Sequence, residues 1–257
     1  WPVQTHPVKI PHPDEMSFDI YMMSRLFPGN QQETLRIIRQ MQSLGRKFVF
    51  ETDDDLSNVY RHTVDADWSF IVSAVDACIC TNAHLASLLK KINPHVYVVP
   101  NYIDLSNHIG HKRHNKQLTI GIQGGNSHYK DWQMIEGPLR RIQEEFPVRV
   151  LIMGYLPDYL EDVGYFIPWT NIQDYWSNLV EIDIGLAPII SDDPFNLSKT
   201  PLKAMEYMAT ARDIGGKVGG ALPLCSDHVV YRRFVNAGNG VLVKDGDWYE
   251  ALKWAVQ

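Results

Sequence analysis

Cysteine is scarce in this chain, with Cys78, Cys80 and Cys225 the three in 257 residues. Three thiols build no disulfide framework, and their spacing matches no metal-ligand pattern. Cys78-Ile79-Cys80 falls on an expected strand, whose alternation is expected to aim the two thiols at opposite faces. All three read as buried structural thiols of a reducing compartment. No apolar run reaches the roughly 20 residues that a membrane-spanning helix needs, and no signal-peptide pattern is visible. A basic excess is missing too: 24 Lys+Arg stand against 30 Asp+Glu, a net charge of −6. Proteins that grip nucleic-acid phosphate usually carry the opposite balance, so there is no strong nucleic-acid signal. No internal repeat is evident. The expectation is a cytoplasmic protein, at most peripheral to a membrane. Its displayed start, Trp1, leaves room for a missing first strand.

What is present is ordinary core-forming material, 45% hydrophobic and 21% charged, with 7 Trp and 12 Tyr. Such aromatics pack cores, and their faces also stack on sugars and bases. Trp1 to Met16 carries Pro2, Pro7, Pro11 and Pro13 and reads as extended. A possible short strand Phe18–Tyr21 leads to a helix Gln31–Ser43, with Gly45 as its stop. Strand Lys47–Glu51, a helix around Trp68–Val75 and strand Ala77–Thr81 follow. Asn82 then caps a helix through Lys91, before strand Val96–Val99. Leu105 to Lys116 is polar and His-rich and reads as a linker.

The second half runs as strand Leu118–Gln123, helix to about Glu145, strand Val148–Met153, helix Asn171–Asn178 and strand Ile182–Leu186. A helix to about Met208, the segment Leu222-Pro223-Leu224-Cys225, helix Val229–Val235, strand Gly240–Val243 and helix Trp248–Val256 finish the chain. Alternating strands and helices predict parallel sheets with helices on both faces. Ligands of such sheets bind beyond the strand C-terminal ends.

Two segments carry candidate chemistry. Gly124-Gly125-Asn126-Ser127-His128-Tyr129-Lys130-Asp131 leaves a strand and opens a helix. Paired glycines let a backbone approach a phosphate, which the helix dipole attracts; a tight βα turn is the competing reading. In Phe195 to Tyr207, Lys199, Lys203 and Glu206 are spaced to share one helical face, with Leu202, Met205 and Ala209 as the sheet-packing stripe. Ser198 or Thr200 is expected to cap that helix, with Pro201 in its first turn. Two cations at a helix start suit an anion, and Glu206 suits a ribose diol. The alternative is a solvated face with Lys203 and Glu206 paired.

Taken in order, several runs resemble the retaining, family-4-like GT-B glycosyltransferases and their compact bacterial and viral relatives. They are Gly121 to His128, Asp183 to Pro188, Phe195 to Lys199 with Lys203 to Tyr207, Ser226-Asp227 and Gly238 to Val243. Upstream, Phe50 to Leu56, Cys80 to Asn82 and Val99 to Asp104 also resemble the group, so the likeness begins near residue 45. It implies an α/β protein of two Rossmann-like parallel-sheet domains facing a cleft. Residues 1–110 would form a compact acceptor-side domain and 111–257 the donor-binding domain, whose last helix can pack back on the first. It implies a nucleoside-diphosphate sugar, UDP- or GDP-linked, as donor substrate. The acceptor would be a hydroxyl of a glycan, a lipid-linked or another molecule, and no metal or cofactor is obligatory.

Carried onto this chain, the donor site comprises Gly124, Gly125, Asn126, Ser127, His128, Lys130, Asn196, Ser198, Lys199, Lys203 and Glu206. Lys199 and Lys203 are the catalytic cations, with Asp54 as the acceptor-side candidate. The family pattern has two glutamates with seven residues between them; with Glu206 as the second, the first position is Ser198. Sugar placement would then use Asn196 or Asp193. Asp53-Asp54-Asp55 contains the D-x-D pattern of metal-dependent GT-A enzymes, where Asp53 and Asp55 would chelate a divalent ion. It can equally be an acidic cap or an acceptor-facing cluster. A non-catalytic nucleotide-sugar or glycan-binding module is the third reading.

Overall fold

The computed structural model describes residues 18–24, 31–55, 69–105, 116–210, 212–214 and 217–257. The proline-rich opening, Leu56, Trp68 and most of the expected linker lie outside them. The chain divides into two compact units. One runs to Asn101 and includes Leu197–Thr200; the other comprises Tyr102–Asn196 and Pro201–Gln257.

The first unit is a four-stranded parallel sheet in the order β1 (Ile20–Ser24), β2 (Lys47–Thr52), β3 (Ala77–Cys80), β4 (Val96–Val98). Sequential right-handed crossovers in one direction place their helices on one face. Here α1 (Gln31–Ser43), α2 (Ser69–Ala74) and α3 (Ala83–Leu89) share one core with Phe48, Phe50, Cys78 and Cys80. Both thiols therefore face the same side, contrary to expectation, because side chains two apart on a strand point the same way. Burial pushes the Cys78 thiol up to about 12, which keeps it protonated and inert. Asn82 does cap α3, its Oδ1 accepting from Leu85 N at 2.9 Å. Its Nδ2 donates to the Ser198 carbonyl at 2.6 Å.

The second unit is a six-stranded parallel sheet ordered β12-β11-β8-β5-β6-β7. Its strands are β5 (Thr119–Gly124), β6 (Arg149–Gly154), β7 (Tyr165–Pro168), β8 (Ile184–Ala187), β11 (Leu222–Ser226) and β12 (Val241–Val243). A separate antiparallel pair, β9 (Arg212–Ile214) and β10 (Lys217–Gly219), was not anticipated, nor was β7. Strand Tyr165–Pro168 is a short edge strand, with Tyr165 and Pro168 exposed and Phe166 and Ile167 half-buried. On one face, α4 (Tyr129–Glu145) and α8 (Trp248–Val256) enclose Ile120, Ile122, Ile184 and Leu186. The α4 stripe Trp132, Ile135, Leu139 and Ile142 is fully buried, each worth about 1.5–3 kcal/mol of transfer energy. The opposite face is covered by α5 (Ile172–Leu179), α6 (Leu202–Ala209) and α7 (Val229–Arg232), around Leu151, Met153, Tyr207 and Cys225.

Helix α6 begins later than expected. Residues Pro194–Ser198 form a 3-10 turn, Pro201 occupies the N-cap and no side chain caps it. Lys199 thus precedes the helix and does not share a helical face with Lys203 and Glu206. The packed stripe is Ala204 and Tyr207, not Leu202, Met205 and Ala209. Gly185 explains the choice: a Cβ there would lie 2.3 Å from Tyr207 Cγ, so the missing side chain seats the ring on the sheet.

Candidate functional site

Strand order fixes where a ligand can enter the second unit. From β5 the chain proceeds outward to β6 and β7, whereas β8, β11 and β12 extend the other way. The connections after β5 and β8 diverge, which opens a crevice beyond their C-terminal ends. The Gly124 turn leaves β5 at this point, and the loop leading to α6 leaves β8 there.

Sequence dictates a compact cluster in that crevice. Gly124 adopts φ +155°, and a Cβ there would fall 2.9 Å from His128 Cδ2 and 3.3 Å from Lys203 Cε. Asn126–His128 forms a 3-10 turn that leads into α4, leaving Asn126 and Ser127 exposed while His128 is buried. His128 stacks parallel to Trp132, with ring centroids 6.1 Å apart. Its Nδ1 lies 2.8 Å from Asp131 Oδ2, and its Nε2 lies 2.8 Å from Lys203 Nζ. Asp131 Oδ1 in turn accepts from Ile190 N and Asn196 Nδ2, both at 2.9 Å. Lys130 points to solvent.

One turn along α6, Glu206 is only partly exposed. Its Oε2 accepts from Gln123 Nε2 and Tyr175 Oη, each at 2.8 Å. Burial raises the Glu206 carboxyl above the ordinary range, opposed by the Tyr175 bond, the Lys203 charge and the Gln123 bond. Burial beside that carboxylate pushes the Tyr175 hydroxyl well above its ordinary value. Both bonds fall on one oxygen, so the second can accept from a diol. Across the crevice, β6 ends at Gly154, with φ +94°. A Cβ there would strike the Gly124 carbonyl at 2.7 Å and the Trp169 ring at 2.8 Å. Trp169 itself is 43% exposed, an unusual share for an indole.

The structure therefore brings together Gly124, Gly125, His128, Lys203 and Glu206. Asn196 is buried, and its amide nitrogen is directed at Asp131 and the Ile190 carbonyl at 2.9 Å, so it braces the loop. Ser198 is fully buried and its Oγ has no hydrogen-bond partner among the described residues. Ser198 and Lys199 group with the first unit, as does Asp54 in the turn after β2. Thr52 Oγ1 accepts from Asp54 N at 3.2 Å in that turn. Among the described residues, no group of three or more His, Cys, Asp or Glu is arranged to hold a metal ion. Asp131, Gln123, Tyr175 and Trp169 were not anticipated as site residues. Asp131 was the legible one, three residues after His128 at a helix start; the others needed the register of β5, β6 and α5.

No family model and no curated protein sequence matches the chain. Solved structures do. An α-glucosyltransferase in complex with UDP-glucose and DNA containing an abasic site superposes with TM-score 0.64 at 8% identity, over 92% of this chain and 70% of that one. A trehalose-6-phosphate structure from E. coli bound with UDP-2-fluoro glucose gives 0.60 at 12%, over 95% and 67%. Sucrose-phosphate synthase from Thermosynechococcus elongatus gives 0.55 at 12%, over 93% and 64%. The chain thus spans less than two thirds of that synthase. These likenesses show the fold: an α/β protein with two parallel sheets of four and six strands, consistent with the two Rossmann-like domains of the GT-B fold. None of the described helices is long and apolar enough to cross a membrane.

Proposed function

We propose that the chain transfers a glycosyl group from a nucleoside-diphosphate sugar to an acceptor hydroxyl. The observation that carries this reading is the switch-point cluster, where a glycine turn, the Lys203–His128 pair and the anchored Glu206 sit side by side. Glycine-lined backbone and a cation suit a diphosphate, and a carboxylate with one oxygen available suits a ribose diol. Trp169 beside Gly154 offers an aromatic face to the base. UDP- and GDP-sugars are the donors of choice, and the two structures above that hold UDP-linked glucose favour UDP first.

In this reaction the bond between the sugar's anomeric carbon and the diphosphate oxygen breaks, and the acceptor oxygen bonds to that carbon. Negative charge grows on the departing diphosphate, where Lys203 stabilises it. With retention of configuration, a donor phosphate oxygen takes the acceptor's proton. Asp54 is the candidate on the acceptor side, in a first domain that binds the acceptor. Lys203→Ala should cut donor turnover by about 100-fold, the loss of a charge-assisted phosphate contact of about 2–3 kcal/mol. Unchanged turnover in a folded variant would sink the assignment.

One observation favours a second reading, a non-catalytic nucleotide-sugar module. Ser198 occupies the place where the resembling family carries its first glutamate, and it is fully buried. Donor binding with neither hydrolysis nor transfer across a broad acceptor panel would establish the module instead.

A further inference from the structure

We propose that His128 takes up a proton when the donor's diphosphate binds, so that its imidazolium becomes the second cation of the phosphate grip. This inference rests on the donor-site reading above. Without a ligand, hydrogen-bond chemistry fixes the state of the ring. A lysine ammonium has only protons to offer, so a Nε2 that lies 2.8 Å from Lys203 Nζ must be the acceptor. The imidazole is then neutral, with its single proton on Nδ1, facing Asp131 Oδ2 at 2.8 Å. A second positive charge at that distance from Lys203 would be repelled.

A diphosphate reverses this balance. Its oxygens attract the Lys203 ammonium, and the Nε2 lone pair then meets acceptor oxygens, which is unfavourable for a neutral ring. One proton from the buffer converts Nε2 into a donor to phosphate. The counter-charge is already present, because Asp131 is 3% exposed and held by Ile190 N and Asn196 Nδ2. Among the described residues, the ring nitrogens face Asp131 from α4 and Lys203 from α6. The Gly124 backbone of β5 and the stacked Trp132 carry no charge, and Lys130 is exposed. Aspartate beneath, diphosphate above and a lysine drawn away together favour imidazolium. The sign follows from linkage: binding raises the proton affinity of the ring. Affinity is therefore greatest at acid pH and falls as pH rises through the titration of the bound imidazole.

The test is calorimetric titration of the full chain with UDP-, GDP-, ADP- and TDP-glucose, diphosphodiesters that exchange no proton of their own near neutrality. At a pH on the falling limb of affinity, two buffers of different ionisation enthalpy should give different binding enthalpies, in the sense of proton uptake. The dissociation constant should rise by up to about tenfold per pH unit there. H128Q should bind about tenfold more weakly below that limb and show the same enthalpy in both buffers. D131N should lose most of the uptake; H128Q covers the case in which that variant fails to fold. Equal enthalpies in the wild-type protein with binding intact would overturn the proposal and leave the donor site standing. Uptake that persists in H128Q would assign the proton elsewhere and overturn it also. If none of the four sugars binds, the donor reading itself fails and this inference falls with it.

Discussion

Gln123 Nε2 at the C-terminal end of β5 donates to Glu206 Oε2 on α6 across 2.8 Å, tying the sheet to the helix that carries Lys203. The carboxylate so held is a costly one, since burial raises it above its ordinary value of 4.5. A folded state that binds its proton more tightly than the unfolded chain loses stability as pH climbs from the ordinary value to the folded one. Above that, the cost is constant. Glu206→Gln should therefore melt higher than the parent protein at pH 7–8, with the gain vanishing below pH 4.5. Donor affinity should fall about tenfold at the same time, since a neutral amide is a weaker partner for a diol. Thermal melts against pH beside donor titrations check both; a variant that loses stability at pH 8 would refute the argument.

Gly185→Ala tests how α6 is seated. The new methyl would lie 2.3 Å from Tyr207 Cγ, and the fully buried ring has no room to retreat. Overpacking of this kind costs about 1–3 kcal/mol. We expect a lowered denaturation midpoint together with weaker donor binding, because Lys203 and Glu206 ride on the displaced helix. A midpoint matching the parent protein would show that the helix can shift freely.

Trp169→Ala should leave the fold intact, since the indole is 43% exposed at a strand end. The loss should instead appear in affinity for the nucleoside part of the donor, about 3- to 10-fold for a stacking contact worth 0.5–1.5 kcal/mol. Comparing UDP with inorganic pyrophosphate separates the cases. Only UDP should weaken if the indole meets the base.

On the proposed reading, in which Lys203 and its neighbours carry the charge of the leaving group, exhaustive chelation with EDTA should leave transfer unchanged. Asp53→Asn should be equally mild in the presence or absence of Mg2+. Asp55 is a different case: it is 5% exposed, so Asp55→Asn is expected to lower stability. Activity abolished by chelation and restored by Mg2+ would return weight to the D-x-D reading.

The local signals of this chain were strong because they are carried by neighbours in sequence. Helix α4 could be placed from Trp132, Ile135, Leu139 and Ile142, which recur at helical spacing, and parallel sheets followed from alternating elements. Gly124, His128, Lys203 and Glu206 could be named for the same reason, since a glycine turn and a helix start are short-range features. The start of α6 was misplaced because Pro201 both tolerates a first turn and can stand before it. Cys78 and Cys80 were misassigned through a slip in strand period.

Sequence by itself thus determined the fold class and pointed to the residue types of the candidate site, since periodicity and turn chemistry act within a few residues. Only the tertiary structure decided which of those residues meet. The switch point between β5 and β8, the Asp131–His128–Lys203 chain and the Gln123–Glu206–Tyr175 clasp join positions from 75 to 83 residues apart in two of their links. Such contacts depend on strand order and register. Hydrogen-bond distance across them is a property of the packed sheet, which no local pattern of residues encodes.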